Sequence, residues 1–397
     1  MAPPEASHQP SAPATPSREN RLKAVPPHLW MVLVIMALFW FALGSRIVPQ
    51  AKQHDFLNLY AGGTLAARGP FRQIYQPEVQ LATERRLVPG LTELVPFVRP
   101  PFYALALGAL AEIPYPRAFA VWLGLQFAVY VAVLAWAKSR WGPEALLFGA
   151  MFLPAALGIA SGQDCVFMLA IIAGVIALEG RGREAGAGAV LALGLIKFHL
   201  FVAWPVILLV QKRWRMLAGA AAVAAGEILC SWLLVGSAGL ADYVSLLGNQ
   251  GIARLNPSRE LMINVQALTL NLGQDNAHLR LLLVLSVMSL AVVVSLRAPF
   301  QSAVVAATTA SILVSPHVYG YDAALLLPSF CLVLFETRAT LPRLLAVFLC
   351  SPIPYLLNLA GFPWRLATSL GLIFFLLLLA GSRHAGVRLR WHRARSA

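Results

Sequence analysis

Asp55 follows His54 a few residues beyond the apolar run Trp30–Val48. A carboxylate at the surface of a membrane can take a proton from a hydroxyl and so act as a general base. Asp is also a good N-cap, and a helix starting at Phe56 would use it that way. A second group, Ser315-Pro316-His317 with Tyr319, Tyr321 and Asp322, closes the apolar stretch 300–316. Pro316 ends a helix and frees backbone carbonyls, which is tolerated at membrane depth where a polar cavity is lined. A third, Gly162-Gln163-Asp164, joins two apolar segments and reads either as a plain turn or as part of a site. Lys197 and His199 lie inside the apolar run 185–210. There a lysine either snorkels to the interface or binds an anion. Glu227, inside 215–235, reads as a helix–helix hydrogen bonder. Ionisable groups at such depth are costly, so those that remain are candidates for function.

The elements that hold these residues are set by composition. Of 397 residues 59% are hydrophobic and 12% charged, against about 25% charged in soluble domains. Mean hydropathy is +0.70. A soluble fold could not hide so much apolar surface, which excludes a soluble enzyme, a nucleic-acid-binding module and a disordered protein. The net charge of +14 comes from 31 Lys and Arg against 17 Asp and Glu. The excess sits mainly in the tails and short connections, as in the cytoplasmic loops of membrane proteins, so no nucleic-acid partner is expected. Cys165, Cys230, Cys331 and Cys350 all lie in apolar stretches, which points to neither a disulfide nor a metal site.

The expected fold is all-α: a polytopic transmembrane helical bundle with about 12 membrane segments. Residues 1–26, rich in Pro, Ala and Ser, read as a disordered cytoplasmic tail. Trp30–Val48 reads as a signal-anchor helix, with the N-terminus inside. Residues 49–98 form a large first outer loop, with short interfacial helices at Leu57–Ala67 and Pro77–Leu87. Apolar segments follow at 97–113, 118–137, 144–161, 164–180, 185–210, 215–235, 265–296, 300–316, 322–336, 344–360 and 364–381. The run 185–210 is long for one span and short for two. A second outer loop falls at about 237–276, and residues 382–397 form a basic cytoplasmic tail. Residues 27–381 read as one integral domain, with both tails inside and with Asp55 and His317 facing a common cavity outside. Walker A, GxGxxG, HExxH, GxSxG and DxD motifs are all absent, so a soluble nucleotide-type donor has no support.

Several of these pieces come in a recognisable order. His54-Asp55-Phe56 through Tyr60, Gly69-Pro70, Ile74-Tyr75, Arg99-Pro100-Pro101-Phe102 with Pro114-Tyr115, Gly162-Gln163, Leu195-Ile196-Lys197, Lys212-Arg213-Trp214 and Ser315-Pro316-His317 with Tyr321-Asp322 resemble glycosyltransferase family 87. Phe198-His199 and Asp164-Cys165 depart from the residues usual there. The resemblance implies a GT-C-like membrane fold and a polyprenyl-phosphate sugar donor, with mannose the expected hexose. It also implies a lipid or glycan acceptor and an inverting displacement at the outer face of a bacterial inner membrane. Asp55 would be the general base, and His317 with Arg99, or more weakly Lys197, would meet the leaving phosphate. His199, Gln163, Tyr60, Tyr321, Asp322 and His54 would complete the substrate site, with membrane lipids around it and no cofactor or metal. A transporter or flippase of lipid-linked sugars is the alternative, since it too would be polytopic with charges at midplane.

Overall fold

A computed structural model describes residues 55–249, 257–296 and 298–384, together with Met31, Val34 and Leu255. The rest of the Trp30–Val48 run, His54, residues 1–26 and residues 385–397 lie outside the described residues. Among the described residues the chain is all helical, with no strand.

Five helices are long and apolar enough to cross a membrane: Tyr115–Trp141, Glu184–Phe201, Trp214–Gly248, Ala277–Ser295 and Trp364–Gly381. Two bent pairs, Glu144–Met151 with Leu153–Ser161 and Thr340–Cys350 with Ile353–Leu359, raise this to seven if each is one broken span. The number among the described residues is therefore five to seven; the twelve expected, one of which (30–48) lies outside those residues, are not confirmed. The difference has a local cause. Pro154 and Pro352 stand at the bends, which are 51° and 54°, because proline removes a helical hydrogen bond and crowds the preceding turn. Cys165–Glu179 and Phe300–Val314 are 15 residues each, short of the ~20 that a bilayer crossing needs. The run 185–210 is neither one straight span nor a hairpin of two. It is helical to Ala192, tightens into a 3-10 turn over Leu193–Phe201, breaks at Lys197 (φ −130°, ψ 59°) and resumes as Trp204–Val210. The stretch 237–276, read as a loop, is helical to Gly248 past a break at Gly236 and helical again over Val265–Asn271.

Where the bundle packs closely it uses small residues. A Cβ on Gly188 would fall 1.8 Å from the carbonyl oxygen of Met216, and one on Gly219 would fall 2.0 Å from that of Ala185. No side chain fits at either position, so Glu184–Ala192 and Trp214–Gly248 touch backbone to backbone. The outward faces carry large apolar side chains such as Phe127, Leu233 and Val244.

Residues 55–98 are packed onto this bundle with a core of their own. Asp55–Arg68 buries Phe56, Leu59, Tyr60 and Leu65, and its aromatics meet Tyr115, Phe119 and Trp122 at ring separations of 5.1–5.9 Å. Pro77–Leu87 begins on a proline, whose fixed φ suits the first helical turn. Its buried face is polar rather than apolar. Gln80 accepts from the Phe97 amide at 2.8 Å and donates to the Ile74 carbonyl at 2.7 Å, while Glu84 accepts from the Val95 amide at 3.0 Å. These bonds supply partners to backbone that belongs to no helix, and so fix the approach of the chain to Arg99. The Tyr75 hydroxyl completes the hold by donating to the Arg99 carbonyl at 2.6 Å.

Candidate functional site

Three helix interruptions converge next to the start of Asp55–Arg68. The first is Gly162, which ends Leu153–Ser161 in the left-handed region at φ 74°. A Cβ there would also lie 2.9 Å from Cβ of Phe56, so glycine is required twice, by dihedral and by space. Trp122 donates its indole N–H to the Gly162 carbonyl at 2.8 Å. The turn therefore rests against the residue that follows Asp55. The second interruption is the break at Lys197. The third is Ser315, where Phe300–Val314 stops before Pro316.

Four buried charges meet across these interruptions. Arg99 grips Asp164 with both arms of its fork, Nε to Oδ2 at 2.8 Å and Nη2 to Oδ1 at 3.0 Å. Lys197 Nζ lies 3.1 Å from Asp164 Oδ1 and 2.8 Å from Asp322 Oδ1. Gln163 Oε1 accepts from both cations at 3.3 Å. The Cys165 thiol donates to Asp322 at 3.3 Å and accepts from Lys197 at 3.4 Å. Two positive and two negative charges thus balance one another, as buried charges must. Lys197 does not snorkel, because its partners come from two other elements of the chain.

Above this quartet lies a run of rings. Lys197 Nζ sits 5.6 Å from the Tyr321 ring centre. Tyr321 neighbours Tyr319 at 5.8 Å, Tyr319 neighbours His317 at 5.1 Å, and His317 neighbours His199 at 5.8 Å. His199 Nδ1 shares a hydrogen bond of 2.9 Å with the Ser315 hydroxyl. The Tyr319 amide donates to Asp322 Oδ2 at 3.0 Å, and Asn264 Nδ2 donates to the Ser315 carbonyl at 2.8 Å. The charge on Asp55 acts on the hydroxyls of both Tyr319 and Tyr321. Burial raises both phenols above their ordinary value, and the Asp55 charge raises them further, so each remains a hydrogen-bond donor at neutral pH. Burial pushes the His317 imidazole down to about 4, with Asp322 opposing and the Lys197 and Arg99 charges reinforcing the fall. His317 is accordingly neutral at pH 7 and carries one ring N–H.

Asp55, Gln163, Arg99, Lys197, His199, His317, Tyr321 and Asp322 are thus brought into one region. Tyr60 is not. Its hydroxyl donates to the Ile113 carbonyl at 2.7 Å and its ring is wedged between Phe56 and Tyr115, so it belongs to the core of the first loop. In the sequence Asp164 read either as a turn residue or as part of a site and Ser315 as part of the 315–322 group, while Cys165 and Asn264 carried no separate signal of a role in the site. The partners that bring them into the site lie 32 to 157 residues away in the chain. Among the described residues no cluster of three His, Cys, Asp or Glu side chains could hold a metal ion.

An apolar cleft of about 170 Å³ opens beside the quartet, lined by Pro100, Phe102, Phe198, Ile228, Leu240 and Tyr243 among others. Pro100 and Phe198 are the chain neighbours of Arg99 and Lys197, so the cleft begins where the buried charges end.

The family model of glycosyltransferase family 87 matches residues 97–316. The chain belongs to glycosyltransferase family 87. The match takes in Arg99, the Gly162–Asp164 turn, Lys197, His199 and Ser315, and stops one residue before His317. A similar protein is the polyprenol-phosphate-mannose-dependent alpha-(1-2)-phosphatidylinositol pentamannoside mannosyltransferase of Mycolicibacterium smegmatis. It is 28% identical over 253 residues, which are 60% of this chain and 56% of that protein. The chain thus spans about half the length of that relative. No solved structure gives a significant match.

Proposed function

We propose that this family 87 chain is an integral membrane glycosyltransferase that moves a hexose, mannose first among the candidates, from a polyprenyl-phosphate donor to a lipid or glycan acceptor. Residues 27–381 form its one integral domain, set in a bacterial cytoplasmic membrane with the site on the outer face. The polyprenyl chain would lie along the apolar cleft that starts at Pro100 and Phe198. Its phosphosugar head would then reach the ring-lined region below Asp55.

The observation that carries this reading is the meeting of Asp55 with the 315–322 break, since two separate parts of the chain supply the base and the groups around it. In the transfer, the acceptor oxygen bonds to the anomeric carbon while its proton passes to the Asp55 carboxylate. The bond from the anomeric carbon to the phosphate oxygen breaks, and polyprenyl phosphate leaves with the electron pair. One displacement inverts the anomeric centre. Negative charge grows on the phosphate in the transition state, and preorganised donors there lower the barrier. His317 can give its ring N–H to that phosphate, and the Tyr321 hydroxyl can hold the sugar, while the Tyr319 oxygen, its proton given to the Pro257 carbonyl, can accept from a sugar hydroxyl. Arg99 and Lys197 take a different role from the one their charge suggests. Arg99 is committed to Asp164 and Lys197 to Asp164 and Asp322, so they anchor the interruptions and do not act as free phosphate ligands.

The test is Asp55→Asn in purified protein supplied with radiolabelled polyprenyl-phosphate-mannose and bacterial membrane lipids. Asn keeps the shape and caps a helix about as well, yet cannot take the proton. Transfer by the variant should fall by roughly 10²- to 10⁴-fold with folding intact. Near-normal transfer would remove Asp55 from the mechanism.

A further inference from the structure

The two buried cations of the site are already matched by two buried carboxylates, so the leaving phosphate needs positive charge from elsewhere. We infer that Arg259, carried over the ring-lined region on a pinned turn, binds the phosphate of the lipid-linked donor. This inference rests on the transferase reading above.

The turn is Arg259–Leu261. Ser258, just before it, has φ 49° and ψ 57°, a left-handed conformation that a non-glycine residue adopts only at a cost. Such a conformation persists where the surroundings over-determine it, and here they do. The Tyr319 hydroxyl donates to the Pro257 carbonyl on one side of Ser258. On the other side Asn271 Nδ2 donates to the Glu260 carbonyl at 2.8 Å, and Asn358 Nδ2 donates to the Leu261 carbonyl at 2.7 Å. The Ile263 amide then donates to the Val318 carbonyl at 3.1 Å, inside the 315–322 break itself. Residues 257–263 are therefore strapped down on the segment that carries His317 and Tyr319.

Arg259 is exposed on this strap, unlike Arg99 and Lys197. Its charge and that of Asp55 both act on the Tyr319 hydroxyl, Arg259 with the opposite sign. Tyr319, whose hydroxyl holds the strap at Pro257, thus feels both an anion that can receive a proton and a cation that can receive a phosphate. A phosphosugar laid across Tyr319 would present its acceptor-facing carbon toward Asp55 and its phosphate toward Arg259. Glu260 also acts on Tyr319. Its effect on Tyr319 opposes that of Arg259 and is the larger of the two. An arginine fork suits phosphate oxygens in shape as well as charge.

The experiment compares wild type, Arg259→Gln and Arg259→Lys in lipid nanodiscs. Binding of polyprenyl phosphate, the leaving product, is measured directly, alongside KM for polyprenyl-phosphate-mannose and for the acceptor lipids. Arg259→Gln should weaken polyprenyl phosphate and raise donor KM by roughly 10- to 100-fold, the range for losing a hydrogen bond to a charged group. Acceptor KM should stay put, and Arg259→Lys should recover part of the loss. Equal product binding by wild type and Arg259→Gln overturns the inference and leaves the transferase reading standing. A rise in acceptor KM alone also overturns it, by moving Arg259 to the acceptor side. A wild type that neither binds polyprenyl phosphate nor transfers sugar overturns both readings together.

Discussion

Arg68 and Arg99 hold carboxylates in the same way and in opposite surroundings. Arg68, at the end of Asp55–Arg68, places Nε and Nη2 at 3.3 and 2.6 Å from the two oxygens of Glu112. Arg99 places the same two nitrogens at 2.8 and 3.0 Å from those of Asp164. The first pair has 54% and 64% of its side chains exposed, the second 9% and 0%. In water the gain from a salt bridge is small, because both ions were already solvated and two long side chains must be held still. In the interior the ions have lost their solvation, and each depends on the other for the whole of its compensation. Geometry is therefore a poor guide to the importance of an ion pair. What singles out Arg99 is burial, together with three helix interruptions around its partner.

The largest effect expected from this contrast is at Asp164. Asp164→Asn leaves Arg99 and Lys197 buried with one carboxylate, Asp322, between them. Breaking a buried pair on one side costs about 3–5 kcal/mol, which should lower the thermal midpoint in detergent by several degrees. A double change to Arg99→Met and Asp164→Leu should be milder than Asp164→Asn alone, since no charge is then stranded. A midpoint for Asp164→Asn equal to wild type would mean that the quartet is wetter than its burial indicates, and the contrast with Arg68 would collapse.

The same contrast explains how much could be read in the sequence. The all-helical class, the membrane-spanning character and the Pro77–Leu87 helix follow from local pattern: apolar runs of the right length, and a proline at a helix start. Asp55, Lys197 and His317 stood out because ionisable residues are rare in such company. That Lys197 would join Asp164 and Asp322 was not legible, since the two contacts close loops of 33 and 125 residues and no local rule links their ends. The count of about 12 membrane segments is not confirmed among the described residues, because apolar runs do not show where a helix bends, as at Pro154, or where it tightens, as at Lys197. Arg259 left no trace at all. Its importance rests on a strained Ser258 and on side chains from Tyr319 and Asn271 that hold the backbone around it.

His317 gives the next effect, and it depends on pH. Its folded value is about 4, against about 6.5 when exposed in an unfolded chain. Between those values the unfolded state binds more protons than the folded one, so stability rises with pH across this window. In the other direction, acidification from about 6.5 toward 4 removes up to ~3 kcal/mol. His317→Gln keeps a hydrogen-bonding side chain but cannot titrate. Thermal midpoints of wild type and variant should therefore converge or cross as pH falls from about 7 to 4, with wild type losing more. Parallel curves would show that His317 is open to water and would return it to the exposed class that Arg68 represents.

The smallest effect is expected at Arg68 itself. Arg68→Ala removes a bidentate contact whose distances rival those at Arg99, so a ranking by hydrogen-bond length would place the two variants together. Solvation argues otherwise. Glu112, once unpaired, is rehydrated where it stands, and the alanine adds helix propensity in place of a long side chain that had to be immobilised. The thermal midpoint of Arg68→Ala should stay within the scatter of replicate wild-type measurements. Any residual difference at low ionic strength should vanish at about 0.5 M salt, where screening acts within a few ångströms. Asp164→Asn should keep its full penalty in the same salt, because its charges are out of reach of mobile ions. A salt-resistant loss at Arg68 would show that the end of the first-loop helix is covered, by lipid or by a second protein, on the face that the chain alone leaves open.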